Sequence, residues 1–389
     1  MLTNNKLSLL GAAAVVGLIF SPMAKAATYS DTGAAVLVWP RIFVDGSSDT
    51  VVQITNQSAQ ARAAHCFYVN ANNRCANTGE VCSRSSECQD QSGFFGACTP
   101  GWIEVNFDVI LTANQPLAWS AAQGLSGGDL PCPGGFLDTC PGSDTNGGTR
   151  VPPVGETPFV GELKCIEADP ITRLPAPCQG TACRNDFEGA ATITTVEAIG
   201  VIDTEKYNAV GLRTTSVNNG DNVLTIGGPN AEYQPCADVL VFNHLFDGAI
   251  DPISGIGVAQ SELSLVPCTQ DFLIQAIPHV TAQFLVYNEF EQRFSTSRPV
   301  DCLLSSLISH IDTTQSSRSI FSAAVAGTVA GQTRITGVNG GLIGAASLSF
   351  CAPAAIGGGC DSPAYVSGSA GYNLNQFAER DEADFIRIP

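Results

Sequence analysis

Residues 102–111 read WIEVNFDVIL, and this stretch indicates the structural class of the chain. Apolar side chains occupy every second position, at Ile103, Val105, Phe107 and Val109. A period of two is typical of a β-strand with one buried face. Similar short runs, rich in β-branched and aromatic residues and bounded by Gly, Asn, Asp or Pro, recur along the chain. They predict an all-β protein.

The composition supports this prediction. The 389 residues include 39 glycines and 22 prolines, and only 14% of the residues are charged. Surface helices normally display more Glu, Lys and Arg than this. One exception is CLLSSLISHI at residues 302–311, where apolar residues follow helical spacing and predict a single helix.

Residues 1–26 have the organisation of a bacterial secretory signal peptide. A short basic start precedes the apolar run Leu7–Phe20, and Ala24-Lys25-Ala26 supplies a cleavage signature. The apolar run is shorter than the ~20 residues that a membrane-spanning helix needs. We therefore expect a secreted protein (periplasmic, cell-surface or extracellular) whose mature chain has no membrane anchor.

Export bears on how the 15 cysteines are interpreted. Oxidising compartments favour disulfides, and the chain lacks the C-x-x-C pairs typical of structural zinc sites. Four cysteines within a Gly- and Ser-rich insertion are expected to form a small disulfide knot: Cys75, Cys82, Cys88 and Cys98. Cys66 and Cys165 each lie in an apolar strand and are expected to pair.

The remaining cysteines divide into local pairs and an odd set. Three pairs frame short loops: Cys132 with Cys140, Cys178 with Cys183, and Cys351 with Cys360. Cys236, Cys268 and Cys302 are left, of which two are expected to pair. The unpaired thiol is either buried and inert or bridges two molecules, and spacing alone does not fix the connectivity.

The charge excludes some classes of partner. The formal net charge is −18, and no cluster of Lys or Arg is present. Nucleic-acid binding requires a basic surface, and attraction to anionic lipid does as well. Neither partner is expected.

Two motif matches are rejected as catalytic sites, the first in favour of a loop, and no catalytic residue or cofactor site is predicted. Residues 124–128 fit G-x-S-x-G around Ser126, but DLPCPGG follows, and a nucleophile elbow requires a helix there. Asp31-Thr32-Gly33 resembles an aspartic-protease motif. That chemistry needs two carboxylates, and the motif occurs once.

Two clusters of oxygen ligands suggest calcium as an alternative to ordinary turns. They are Asp247, Asp251 and Ser254, and then Asn218, Asn219, Asp221 and Asn222. Neither fits the D-x-[DN]-x-[DN]-G loop, and the same residue types are favoured in turns. The turn interpretation is preferred, so no metal site is predicted.

The first half of the chain carries a resemblance to a known class of modules. TVVQITNQS at residues 50–58 and FDVILTANQPLAW at residues 107–119 each join a strand to a polar turn. These segments resemble the immunoglobulin-like or fibronectin-like β-sandwich modules of secreted bacterial proteins, over residues 34–197. The resemblance implies a protein that binds, spaces or assembles.

We therefore expect two antiparallel, immunoglobulin-like β-sandwich domains with Gly- and Pro-rich loops. The expected divisions are a signal peptide (1–26), a β-sandwich domain (27–197) with a cysteine-rich insertion (71–101), a connecting hairpin segment (198–232), a second β-sandwich domain (233–350) and a loop-rich C-terminal segment (351–389). The expected function is that of a secreted, non-catalytic, disulfide-stabilised structural or binding protein. The alternative is a secreted hydrolase whose site is assembled from scattered residues. Self-association and an extracellular ligand both remain open.

Overall fold

The computed structural model describes residues 32–125, 151–169, 175, 178–179, 182–198, 201–216, 219–250, 255, 258–351 and 366–389. The structure is 59% strand and 4% helix, which confirms the all-β class. The predicted signal peptide and most of two Gly- and Pro-rich segments lie outside the described residues.

The strands of the first half lie between residues 36 and 212. They are β1 (Val36–Val44), β2 (Ser48–Asn56), β3 (Arg62–Asn70), β4 (Arg74–Cys75), β5 (Cys98–Thr99), β6 (Ile103–Leu111), β7 (Pro116–Ser120), β8 (Phe159–Ala168), β9 (Cys178–Gln179), β10 (Ala182–Cys183), β11 (Phe187–Ala198), β12 (Val201–Asn208) and β13 (Val210–Leu212).

The second half continues the series and contains one short helix. Its elements are β14 (Val223–Ile226), β15 (Ala237–Leu245), β16 (Val258–Pro267), β17 (Gln270–Asp271), β18 (His279–Asn288), β19 (Arg293–Asp301), β20 (Leu304–Leu307), α1 (Ala323–Ala326), β21 (Ala330–Val338), β22 (Leu342–Cys351), β23 (Val366–Asn373), β24 (Asn375–Glu379) and β25 (Asp384–Arg387).

Five sheets of three to five strands form the body of the molecule. The first sheet has the order β13-β1-β8-β3-β6, and the second has the order β12-β11-β2-β7. The third is β14-β25-β17, the fourth is β19-β18-β21-β15-β24, and the fifth is β20-β16-β22-β23. These sheets are arranged as a five-bladed β-propeller. The prediction of two immunoglobulin-like β-sandwich domains is therefore wrong.

Burial of the first sheet shows where that prediction fails. Leu37 and Trp39 of β1 pack in a cluster with residues of the second sheet. Val36 and Val38 on the opposite face of the same strand pack in a cluster with residues of the third sheet. Each sheet of a two-layer sandwich has one face outside the core, whereas this sheet has apolar neighbours on both faces.

The predicted helix at residues 302–311 is also wrong. Residues Leu304–Leu307 form β20, and Ile308–His310 form one 310 turn. Leu304 pairs with Leu265 of β16 in an antiparallel ladder. Backbone pairing with β16 therefore determines the conformation at this site, and the helical spacing of the apolar residues does not.

Two prolines lie at positions where a β-sheet tolerates them. Pro40 lies where the register between β1 and β8 shifts, between Trp39 and Ile42, as expected for a proline at a bulge. Pro299 lies in β19, an edge strand of the fourth sheet. The weakly charged strands β2 and β18 are interior strands, so neither presents a free edge.

Four disulfides join described cysteines, so the prediction of disulfide bonding is confirmed. Cys66 bonds to Cys165 between paired positions of β3 and β8. Within the insertion, Cys75 bonds to Cys88 and Cys82 to Cys98. Cys236 bonds to Cys268.

Other cysteines are less fully described. Cys183 and Cys351 are also disulfide-bonded. Cys132, Cys140 and Cys360, and the side chain of Cys178, lie outside the described residues. Cys302 is a buried free thiol, which matches the buried alternative for the odd cysteine. Among the described residues, no helix is long and apolar enough to cross a membrane.

Candidate functional site

The outer face of the fourth sheet carries the best-formed candidate site. Strand β18 turns Phe284 and Val286 into the core, and its alternation leaves Tyr287 on the outer face. Tyr287 pairs with Gln332 of β21, and Gln332 pairs with Asn243 of β15. Three neighbouring strands therefore place one aromatic ring and two amides in a row.

This row borders a cavity of about 650 Å³. The lining is rich in amides and includes two tyrosines. Polar residues of the lining include Asn243, Tyr287, Glu289, Gln332, Tyr372 and Asn375. Gln332 Nε2 donates to Asn243 Oδ1 at 3.1 Å, which orients both amides.

Tyr372 extends the cavity from β23 of the fifth sheet. Its hydroxyl donates to the backbone oxygen of Asn243 at 3.2 Å, and its ring stacks on Phe242 with centroids 6.2 Å apart. Burial raises the pKa of Tyr372 well above its ordinary value. The phenol therefore stays neutral at physiological pH, with its ring fixed at the cavity wall.

The titratable groups of the cavity are engaged in structural contacts. His244 is buried, and burial lowers its pKa to about 4. Its Nε2 lies 2.8 Å from Thr333 Oγ1, and its Nδ1 lies 3.2 Å from the backbone oxygen of Leu245. The carboxylate of Glu289 accepts from the backbone N–H of Val329 at 3.1 Å. Glu289 is the single carboxylate among the described lining residues.

A second cavity of about 540 Å³ lies on the same face. Its polar lining consists of hydroxyls, one amide and one guanidinium, and three apolar residues complete it: Val239, Phe284 and Leu285. The Arg334 guanidinium lies 5.9 Å from the ring centroid of Tyr287. Arg334 of the second cavity therefore lies beside Tyr287 of the first cavity.

Several residues of the motifs considered in the sequence are not described by the structure. Asp31, Ser126, Asp251, Ser254 and Asn218 lie outside the described residues.

The described residues of the two candidate calcium clusters form hydrogen bonds within the protein. Asp247 is buried and accepts from the backbone N–H groups of Ser261 at 2.7 Å and Ser309 at 3.1 Å. Asn219 and Asp221 hydrogen-bond to each other across a turn at 2.9 Å. These contacts are those of turn-forming and strand-joining side chains.

Two of the other histidines, His65 and His279, each lie next to an aspartate of a neighbouring strand, and His310 lines a separate cavity together with Asp247. His65 Nδ1 lies 2.7 Å from Asp108 Oδ1 across β3 and β6. His279 Nδ1 lies 2.7 Å from Asp301 Oδ1 across β18 and β19. Each is a cross-strand pair of one sheet.

Among the described residues, two separate groups each bring three potential metal ligands close together. They are Cys75 with Cys82 and Cys88, and Cys236 with Cys268 and Asp384. All five cysteines belong to disulfides. Because the metal ligand is the thiolate, the oxidised sulfurs of these groups are poor metal donors.

No protein-family model matches the chain, and no curated protein is significantly similar to it. The strands that carry Asn243 and Tyr287 are recognisable in the sequence, but these residues were not predicted as a site. The available signal was their polar or aromatic character at outward positions of otherwise apolar strands.

Proposed function

We propose that this protein is a secreted, non-catalytic binding protein whose ligand is a neutral carbohydrate. The observation that carries the proposal is the row of Tyr287, Gln332 and Asn243 beside the ring of Tyr372. The proposed binding surface is the outer face of the fourth sheet.

The chemistry of the row suits a sugar. Sugar hydroxyls both donate and accept hydrogen bonds, and so do the amides of Asn243 and Gln332. Tyrosine combines an apolar ring with a polar tip, so Tyr287 and Tyr372 offer flat surfaces to the C–H face of a pyranose. Aromatic walls with a few placed polar groups are typical of small-ligand sites.

Charge favours a neutral ligand. The net charge of −18 repels polyanions. Within the cavity, Glu289 is held by a backbone N–H, and no other carboxylate occurs among the described lining residues. A general acid–base pair, as a glycoside hydrolase uses, is not present among these lining residues. The binding proposal therefore has more support than the hydrolase alternative.

Export is part of the proposal. The disulfides between Cys66 and Cys165 and within the insertion are typical of oxidising compartments. The signal-like segment at residues 1–26 supports the same location.

The test is binding of soluble oligosaccharides by isothermal titration calorimetry. Tyr287→Ala and Gln332→Ala are expected to weaken binding at least tenfold, since each removes a stacking or hydrogen-bonding group worth about 1.4 kcal/mol or more. Phe94→Ala is the control, because Phe94 is an exposed aromatic in the insertion. Equal loss in all three variants would contradict the site. Release of new reducing ends from a bound glycan would contradict the non-catalytic assignment.

A further inference from the structure

Lys164 occupies an unusual environment between the first and third sheets. Its side chain is fully buried, and it projects from β8 toward Gln270 of β17. Lys164 Nζ lies 2.5 Å from Gln270 Oε1 and 3.2 Å from Glu162 Oε2. It also donates to the backbone oxygen of Pro267 at 3.0 Å.

Glu162 completes a three-residue cluster. It lies two residues before Lys164 on the same face of β8, and it is also buried. Its Oε1 accepts a hydrogen bond from Gln270 Nε2. One carboxyl group therefore contacts both the amine nitrogen of Lys164 and the amide nitrogen of Gln270.

The surroundings of the cluster exclude water. Val38 and Phe67 are the cross-strand neighbours of Lys164 in the first sheet, and both are 0% exposed. Phe67 stacks on Phe272 of the segment that follows β17, with ring centroids 4.1 Å apart. A charged group in such a place is costly.

Burial favours the neutral forms of both titratable groups. It lowers the pKa of Lys164, although the nearby Glu162 carboxylate acts in the opposite direction. It raises the pKa of Glu162 against the effect of Lys164. A neutral amine is a nucleophile, and a protonated carboxyl can donate a proton.

We propose that Lys164 and Gln270 form an intramolecular isopeptide bond, with Glu162 as the proton-transfer group. The lone pair of Lys164 Nζ attacks Cδ of Gln270, forming a C–N bond. Glu162 gives its proton to Nε2 and takes one from Nζ, so its carboxyl group ends unchanged. The Cδ–Nε2 bond breaks, and ammonia leaves. The reaction is a transamidation without net oxidation or reduction, so no cofactor is required.

The bond joins residues 106 positions apart and links the first sheet to the third. It also removes a buried titratable amine, because a neutral secondary amide replaces the Lys164 amine and the Gln270 primary amide, while Glu162 keeps its carboxyl group. Lys164 is one of four lysines in the chain, and Lys6 and Lys25 lie in the predicted signal peptide. Lys206 on β12 is exposed and therefore serves as a matched control.

The test is the intact mass of the purified wild-type protein after complete reduction and denaturation. The expected mass is lower than that of the processed sequence by one molecule of ammonia. Tandem mass spectrometry of a tryptic digest is expected to give a branched peptide that contains both Lys164 and Gln270. A mass equal to the sequence mass, with tryptic cleavage after Lys164, would overturn the proposal without any variant.

Variants assign the roles. Lys206→Arg is expected to retain the ammonia loss, whereas Lys164→Arg and Glu162→Gln are expected to abolish it. If Lys164→Arg does not fold, Glu162→Gln still tests the proton transfer, since glutamine preserves the shape of the side chain. Full ammonia loss in Glu162→Gln would contradict the role given to Glu162.

Discussion

Arg41 Nη2 lies 2.8 Å from Glu262 Oε2, although the two residues are 221 positions apart. Arg41 lies at the bulge of β1 in the first sheet, and Glu262 lies in β16 of the fifth sheet. Arg41 also donates to Ser347 Oγ at 2.9 Å and lies 3.4 Å from Glu205. One guanidinium thus connects carboxylates from both halves of the chain.

Replacing Arg41 should therefore destabilise the whole protein. Arg41→Met leaves the carboxylates of Glu205 and Glu262 without their cation in a largely buried site, and removing one partner of a buried ion pair costs about 3–5 kcal/mol. The partial exposure of Glu262 places the expectation at the lower end of that range. Urea unfolding followed by tryptophan fluorescence measures the free energy of unfolding.

Arg84→Ala is the control for this change. Arg84 and Glu87 form an exposed ion pair in the insertion, and solvent-exposed pairs of this kind contribute little to stability. If both variants lose the same free energy of unfolding, the Arg41 cluster does not join the sheets as described.

The sequence predicts the strands better than their arrangement. The alternation in residues 102–111 predicts β6, which spans Ile103–Leu111. This alternation does not predict how many sheets the protein has or how they pack together, because both depend on contacts between distant segments. The continuous apolar run of β1 was the available signal, since strands buried on both faces lose the polar–apolar alternation.

The candidate site was less predictable than the fold. Gln332 and Asn243 are 89 positions apart in the sequence and hydrogen-bond to each other. Tyr287 lies on a third strand, so only the pairing register of β15, β21 and β18 brings the three residues into one row. The cluster of Lys164, Glu162 and Gln270 has the same character. Local spacing shows that Glu162 and Lys164 share a face of β8, but it does not show that β17 lies opposite.

The two disulfides of the insertion should be reduced before the disulfide between Cys66 and Cys165. The hydrophobic cluster of the insertion consists of cysteines alone, so local opening exposes its bridges at small cost. Cys66 and Cys165 lie in the main core of the first and second sheets. Differential alkylation and mass spectrometry during mild reduction would measure the order.

Matched pairs of substitutions test the energetic side of this prediction. Cys66→Ala with Cys165→Ala should lower the free energy of unfolding by about 2–5 kcal/mol. Cys82→Ala with Cys98→Ala should have a smaller global effect, because the insertion has no other apolar core. Simultaneous reduction of all bridges in the native protein would contradict the order.

Among the described cysteines, Cys302 should be the thiol that becomes reactive on unfolding without reductant. It is 1% exposed, and burial raises its pKa well above the ordinary value, so a native thiol reagent should not label it. Denaturant alone should then allow the label to react at Cys302, as peptide mapping would show. Labelling of the native protein, or a covalent dimer that reductant separates, would contradict a buried free thiol.

Glu167 should make the protein less stable as the pH rises. Burial is the largest effect on Glu167, and the nearby Asp186 carboxylate adds to it, so that the pKa of Glu167 rises to about 8. Arg62 Nε, 3.4 Å from Glu167 Oε1, acts in the opposite direction. The pKa of a glutamate in the unfolded chain is about 4.5. Between these values the native state binds the proton and the unfolded state does not, so the free energy of unfolding falls with rising pH.

Glu167→Gln should remove this part of the pH dependence, because glutamine stays neutral in both states. Unfolding by urea at about pH 5 and about pH 8 should show a smaller difference in the variant than in the wild type. The variant should also be the more stable of the two at the higher pH, because there the folded wild type must either bury the ionised Glu167 carboxylate or unfold. Glu379→Gln on the exposed surface of β24 is the control and should follow the wild-type curve. Equal pH dependence in Glu167→Gln and the wild type would show that Glu167 does not retain its proton in the folded protein.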